Sequence, residues 1–151
     1  MSDLEVRFEQ LPPMRVASFH GFGPNPEQLA GDKLRVWAGP RGYSNDPAHH
    51  RVFGFNNPDP SPGSPNYGYE FWMQVGPEVQ PEPDVPIKEF AGGLYAVARS
   101  HGVAEIGPTW SKLVAWCEDS PYRWGCGCLE AHVAGVTDEE LVLDLFLPLA
   151  E

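Results

Sequence analysis

Three observations predict an α+β fold: short segments alternating apolar and polar residues, two helical stretches at corresponding places, and a sequence that repeats itself. Arg15-Val-Ala-Ser-Phe-His-Gly21 returns as Ala96-Val-Ala-Arg-Ser-His-Gly102. Further along, Lys33-Leu34 and Val36-Trp37-Ala38 are echoed by Lys112-Leu113 and Ala115-Trp116-Cys117, and Tyr69-Glu-Phe-Trp-Met73 by Leu143-Asp-Leu-Phe-Leu147. These ordered matches predict a pseudo-twofold tandem repeat of β-β-α-β-β halves, about 1–76 and 86–151, within one domain. The expected layout is an antiparallel sheet with helices on one face and a ligand cleft on the other, along the seam that a duplication creates.

The elements follow in order. Leu4, Val6 and Phe8 alternate with Glu5, Arg7 and Glu9, as a half-buried strand does, and a second strand is expected from Met14 to His20. Asn25-Pro-Glu-Gln28 combines a capping residue, a proline suited to the first helical position and a glutamine for a capping box. A helix is therefore predicted from about Pro26 to Ala38, with Leu29, Val36 and Trp37 on its buried face and Gly39-Pro40 ending it. Strands are expected at Val52–Asn56 and Tyr67–Val75, separated by the proline run Pro58 to Pro65, whose missing donors exclude a ladder strand. Gly76 to Pro86 has the same character and reads as the linker between repeats.

The second half repeats the order. Strands are predicted at Ile87–Phe90 and Leu94–Ser100, a helix at about Glu105–Asp119, and strands near Gly127–Val133 and Leu141–Leu147. Ile106, Trp110, Leu113, Val114 and Cys117 share one helical face. Trp37 and Trp116 match in register and read as core.

Composition narrows the function. A chain of 151 residues is long enough to bury a core without staples. Its formal net charge of −11 argues against direct nucleic-acid binding, which draws on basic contacts, and suits cationic or neutral ligands. No run approaches the roughly 20 apolar residues of a membrane span, and the N-terminus lacks the regions of a signal peptide, so a cytoplasmic location is expected. Three cysteines fit a reducing compartment, and Cys126-Gly-Cys128 has neither zinc-knuckle spacing nor a second pair. No metal or cofactor is expected. His20 and His101 precede glycines at strand ends and suggest a turn role, His49-His50 lies in a polar loop, and no nucleophile elbow, dinucleotide fingerprint or P-loop is present.

Period-two alternation assigns side chains to faces. Leu141, Leu143, Leu145 and Leu147 should face the helices, leaving Asp144 and Phe146 on the cleft side. The repeat register then directs Tyr69, Phe71 and Met73 to the helices and Glu70, Trp72 and Gln74 to the cleft. In Leu129-Glu-Ala-His-Val133 the apolar set is expected inward, so that Glu130 and His132, with Cys128, look into the cleft. A carboxylate at Glu130 with Trp72 and Phe146 as walls would suit a flat apolar cation, each ring adding about 0.5 to 2 kcal/mol of cation–π attraction.

The run Phe53-Gly-Phe-Asn-Asn-Pro-Asp-Pro-Ser-Pro-Gly-Ser-Pro-Asn-Tyr-Gly-Tyr-Glu-Phe-Trp72 resembles a hallmark of GyrI-like small-molecule-binding domains, also called AraC-type effector-binding domains. Lys88 to Val97, Trp110 to Trp116, Leu129-Glu-Ala-His132 and Leu143 to Pro148 agree, so the resemblance covers nearly the whole chain. It implies a tandem arrangement with a ligand cleft between the halves. It also implies that the matching glutamate, Glu130, engages lipophilic cations among aromatic rings. Glu70 and Trp72 match the family's aromatic strand on the cleft side, with Tyr69 a secondary candidate. Relatives often carry a helix-turn-helix module ahead of this domain, for which this chain is expected to have no room, leaving DNA binding to a separate regulator. Cys126 and Cys128 near Glu130 depart from the family pattern.

Three functions are consistent with these features. The first is a cytoplasmic protein that sequesters or senses hydrophobic, often cationic, small molecules through Glu130. The second is a hydrolase of reactive cyclopropane-bearing compounds, as some stand-alone relatives resemble, with Glu130 as general base and Tyr95 or Tyr69 assisting. The third is an interaction module, with the proline run and acidic surface engaging a partner protein such as the topoisomerase that the family name suggests.

Overall fold

A computed structural model of the chain describes residues 4–43, 46, 49–57, 62–125, 127–134 and 139–150. Nine strands and two α-helices are formed among them: β1 Arg7–Leu11, β2 Met14–Gly23, α1 Pro26–Ala38, β3 Val52–Asn56, β4 Tyr67–Val75, β5 Ile87–Phe90, β6 Gly93–His101, α2 Ile106–Glu118, β7 Arg123–Trp124, β8 Leu129–Ala134 and β9 Val142–Ala150. The strand pairs described below are antiparallel. The fold is α+β, as the alternation predicts. Pro58 to Ser61 of the proline run and Cys126 lie outside the described residues.

The chain divides into two compact units. One is Pro13–Ala91; the other joins the N-terminal strand, through Pro12, to everything from Gly92 onward. In the first unit β5 pairs with β2, β2 with β4, and β4 with β3. In the second, β1 pairs with β6, β6 with β9, and β9 with β8, with β7 also on β9. The sequence reading groups β1 with β2 in the first half; in the structure β5 pairs with β2, and β1 is the edge strand of the second unit. Each unit therefore takes as its edge strand the segment that precedes, in sequence, the strand paired with the other unit's edge strand.

Helix α1 buries Ala30, Leu34, Trp37 and Ala38, the last three in one cluster with Ala17, Phe19, Met73 and Val75. Leu29 and Val36, expected on that face, are instead 46% and 76% exposed. The buried stripe is built partly from alanines, which a search for large apolar residues overlooks. Pro26 occupies the first turn as predicted, but no side-chain capping bond forms at Asn25, so the expected capping box is absent there. The close approach of the helix depends on Gly21, where a β-carbon would lie 2.5 Å from the Pro26 carbonyl oxygen and 2.9 Å from the Ala30 nitrogen. The segment Gly76 to Pro86 is no free linker. Its Val79 and Val85 are buried in the same cluster, and Trp37 Nε1 donates to Glu82 at 2.7 Å.

In the second unit Leu113 and Cys117 of α2 meet Ala96, Ala98, Leu145 and Leu147, with Trp110 and Val114 alongside. Phe8 of β1 lies on this helix side too, tilted against Trp116 and Tyr122. No helix among the described residues is long and apolar enough to cross a membrane.

Candidate functional site

The register of β8 on β9 decides where Glu130 points. Glu130 lies opposite Leu145 and His132 opposite Leu143, while Leu129 lies opposite Phe146 and Ala131 opposite Asp144. Residues directly paired across an antiparallel ladder share a face. Leu145 packs under α2, so Glu130 and His132 are on the helix side, and Cys128 packs there as well. The carboxylate accepts a hydrogen bond from the Trp110 indole of α2 at 3.0 Å.

This corrects the predicted placement of Glu130, His132 and Cys128 on the face away from the helices. Alternation grouped the buried residues of β8 correctly but assigned them to the wrong side, because β9 beside it is enclosed on both faces. Leu129, Ala131, Asp144 and Phe146 on one side are as enclosed as Leu145 and Leu147 on the other. On β8 itself the face away from α2 is the enclosed one, while on the helix side Glu130 is half-buried and His132 exposed. Ser100, in the same cross-strand row as Leu143 and His132, is 1% exposed, and its hydroxyl finds no hydrogen-bond partner among the described residues.

Tyr69 occupies the helix face of the first unit, as predicted, edge-on to Phe71 at 5.0 Å. Its ring lies over Gly54 of β3, where any side chain would overlap it. Tyr95 and Phe146 share the opposite face of the second unit, with ring centroids 5.8 Å apart. Both are deeply buried, and burial, followed by the charge of Cys128, pushes the Tyr95 phenol above its ordinary pKa.

Glu70 and Trp72 face away from α1, as alternation predicts. Glu70 is 2% exposed and receives four donors: Ser18 Oγ at 2.7 Å, Asn57 Nδ2 at 3.0 Å, Trp72 Nε1 at 2.6 Å and Lys88 Nζ at 2.7 Å. Burial by itself would raise its pKa. The Lys88 ammonium and the bonds from Ser18, Asn57 and Trp72 outweigh that and hold it at about 2. Trp72 also contacts Phe55 and Phe90, at 4.8 and 5.8 Å between centroids.

The second unit holds a matching cluster. Asp144, 5% exposed, accepts from Arg7 at 2.8 Å and from Arg99 at 2.9 and 3.2 Å. Burial opposes its ionisation, and the two guanidiniums overcome that opposition and lower its pKa. Lys88 lies opposite Val16 on β2, and Arg7 opposite Val97 on β6, two positions equivalent in the sequence repeat. The sequence repeat also aligns Glu70 with Asp144 and Ser18 with Arg99. Sequence reasoning missed Trp110 as the partner of Glu130, and Lys88 and Arg7 as partners of the buried acids. The one available signal for the latter was a basic residue at the matching place in each edge strand.

Among the described residues no group of three or more His, Cys, Asp or Glu side chains is placed to hold a metal ion.

The chain matches the family described as the GyrI-like small molecule binding domain over residues 4–150. Among solved structures it is similar to the EcmrR C-terminal domain, at 14% identity, with a TM-score of 0.75 and 99% of both chains covered. Against EcmrR in its DNA complex the match is 14% identical with a TM-score of 0.74, covering 98% of this chain but only 58% of that one. A hydrolase from Listeria innocua is similar at 13% identity and a TM-score of 0.71, with 97% of this chain and 92% of that chain covered. SAV2435 bound to tetraphenylphosphonium is similar at 13% identity and a TM-score of 0.56, with coverages of 97% and 94%. At these identities the likeness is one of fold. No curated protein matches the chain.

Proposed function

The chain belongs to the family of GyrI-like small-molecule-binding domains, and from that premise we propose that it is a cytoplasmic protein that sequesters or senses hydrophobic, often cationic, small molecules through Glu130. The observation that carries the reading is the Glu130–Trp110 pair, a half-buried carboxylate steadied by an indole on the helix face of β8. A carboxylate so placed favours a cation, and an adjacent indole adds apolar surface and ring charge. The family glutamate matches Glu130, and the chain's formal charge of −11 favours cations at longer range.

Glu70, the other carboxylate proposed from the sequence, is less suited. Its oxygens already accept four donors, one of them an ammonium, so a guest cation would have to displace Lys88. His132, on the same face of β8, remains a ligand-contact candidate beside Glu130, and Tyr69 remains one within the first unit alone. Trp72, Phe146 and Tyr95 lie on opposite faces and serve there as packing partners. The matching strand orders and matching acid clusters support reading the two units as a tandem duplication.

A thermal-shift titration with tetraphenylphosphonium tests the reading, since a ligand selective for the folded state raises its melting midpoint. The wild type should be stabilised in a dose-dependent manner and Glu130→Gln should not. Equal shifts in both proteins would remove Glu130 from the site. Turnover of a reactive compound that disappears in Glu130→Gln while cation binding persists would replace binding with hydrolysis as the function.

A further inference from the structure

Two of the three lysines in this acidic chain, Lys33 and Lys88, line a single hollow of about 440 Å³ in the first unit, together with Ser18, His20, Asn57, Glu70, Asp84 and Pro86. The hollow lies where β5 stops. β5 pairs with β2 from Met14 to Ala17, the Ser18 N–H donates to the Pro86 carbonyl oxygen at 3.0 Å, and the β5 ladder goes no further along β2. Lys33 reaches β2 from α1 and donates to the His20 carbonyl oxygen at 2.7 Å. Lys88 donates to Glu70 at the same distance.

Each ammonium has three donors and each of these bonds uses one, so both keep N–H groups for a guest. The Glu70 carboxylate, with four donors already, offers the guest little. The formal charges of Lys33 and Lys88 balance those of Glu70 and Asp84, leaving zero with His20 neutral and +1 with it protonated. Against the chain's net charge of −11, a hollow without net negative charge tolerates a singly charged anion better than a dianion.

We propose that this hollow is a second binding site, distinct from the Glu130 face, that takes the carboxylate group of a small organic acid between Lys33 and Lys88. The carboxylate is planar, singly charged and able to accept from both ammoniums, and Asn57 and His20 supply further polar contacts at the rim. Nothing in this site depends on Glu130, so the proposal stands or falls separately from the function proposed above.

The test is a backbone amide NMR titration of the full chain, exchanging sodium chloride for sodium acetate at constant ionic strength. Saturable shifts are expected at Ser18, Asn57 and Lys88 in the wild type. In Lys33→Gln, which alters an exposed side chain bonded only to a carbonyl, half-saturation should need at least about fivefold more acetate. Matching thermal midpoints would establish that the variant is folded. Shifts that grow linearly without saturating, or that saturate equally in Lys33→Gln, would overturn the site. Tighter binding of inorganic phosphate than of acetate at pH 8 would overturn its assignment to a carboxylate.

Discussion

Arg7 and Asp144 stand 137 positions apart in the chain and meet in a 2.8 Å hydrogen bond. The bond ties the edge strand β1 to the second unit, which its neighbour in sequence, β2, does not join. Lys88 and Glu70 make the equivalent tie for β5 in the first unit. In both cases a nearly inaccessible acid on a central strand holds a base projecting from the edge strand. Such a pairing adds charge-specific selection to backbone pairing that any strand could satisfy.

If the acid is the anchor, Asp144→Asn should destabilise the protein by about 2 kcal/mol, because it leaves Arg7 and Arg99 short of their shared counter-charge. Arg7→Gln should cost about 1 kcal/mol, since Arg99 still neutralises Asp144. Urea unfolding of the two variants measures both, and equal effects would mean that Arg99 contributes nothing.

Acid sensitivity follows from Glu70. Its pKa is held at about 2 in the folded protein, against an ordinary 4.5, so folding disfavours its protonation. The stability it contributes is complete above pH 4.5 and is lost as the pH falls toward 2. Asp144, lowered in the same direction, adds to the same limb. Melting midpoints measured between pH 6 and pH 2 should fall steeply over this window in the wild type and more gently in Glu70→Gln.

Gly21 is fixed by contact with the first turn of α1. Gly21→Ala should destabilise by about 2 kcal/mol, because the obstructing atoms are backbone and the whole helix must shift. Thermal unfolding reads this directly, and a neutral result would show that α1 sits less tightly on β2 than the distances require.

Most strands and both helices were legible in the sequence, because alternation and helical spacing are local properties of the chain. The pairing of β1 was not legible. It depends on Asp144 and on β6, which no local pattern reveals. The buried face of α1 was misread because Ala30 and Ala38 line it while the larger Leu29 and Val36 point to solvent. At the site, alternation placed Glu70 and Trp72 correctly, since β4 has a helix on one side and a distinctly polar centre on the other. The same rule inverted Glu130, because β9 is enclosed on both faces and the apolar side of β8, with Leu129 opposite Phe146, packs away from α2. The repeat hinted at the matching acids Glu70 and Asp144, but their basic partners come from strands whose positions only the fold establishes.

The central claim is that Glu130, on the helix face, is the carboxylate that holds a cationic ligand, and that Glu70 is occupied by the protein's own lysine. Isothermal titration of tetraphenylphosphonium into the wild type, Glu130→Gln and Glu70→Gln compares the two most directly. Binding to the wild type is expected, with weakening of about tenfold or more in Glu130→Gln and near wild-type affinity in Glu70→Gln. Affinity lost in Glu70→Gln and kept in Glu130→Gln would contradict this and move the ligand to the Glu70 cluster of the first unit.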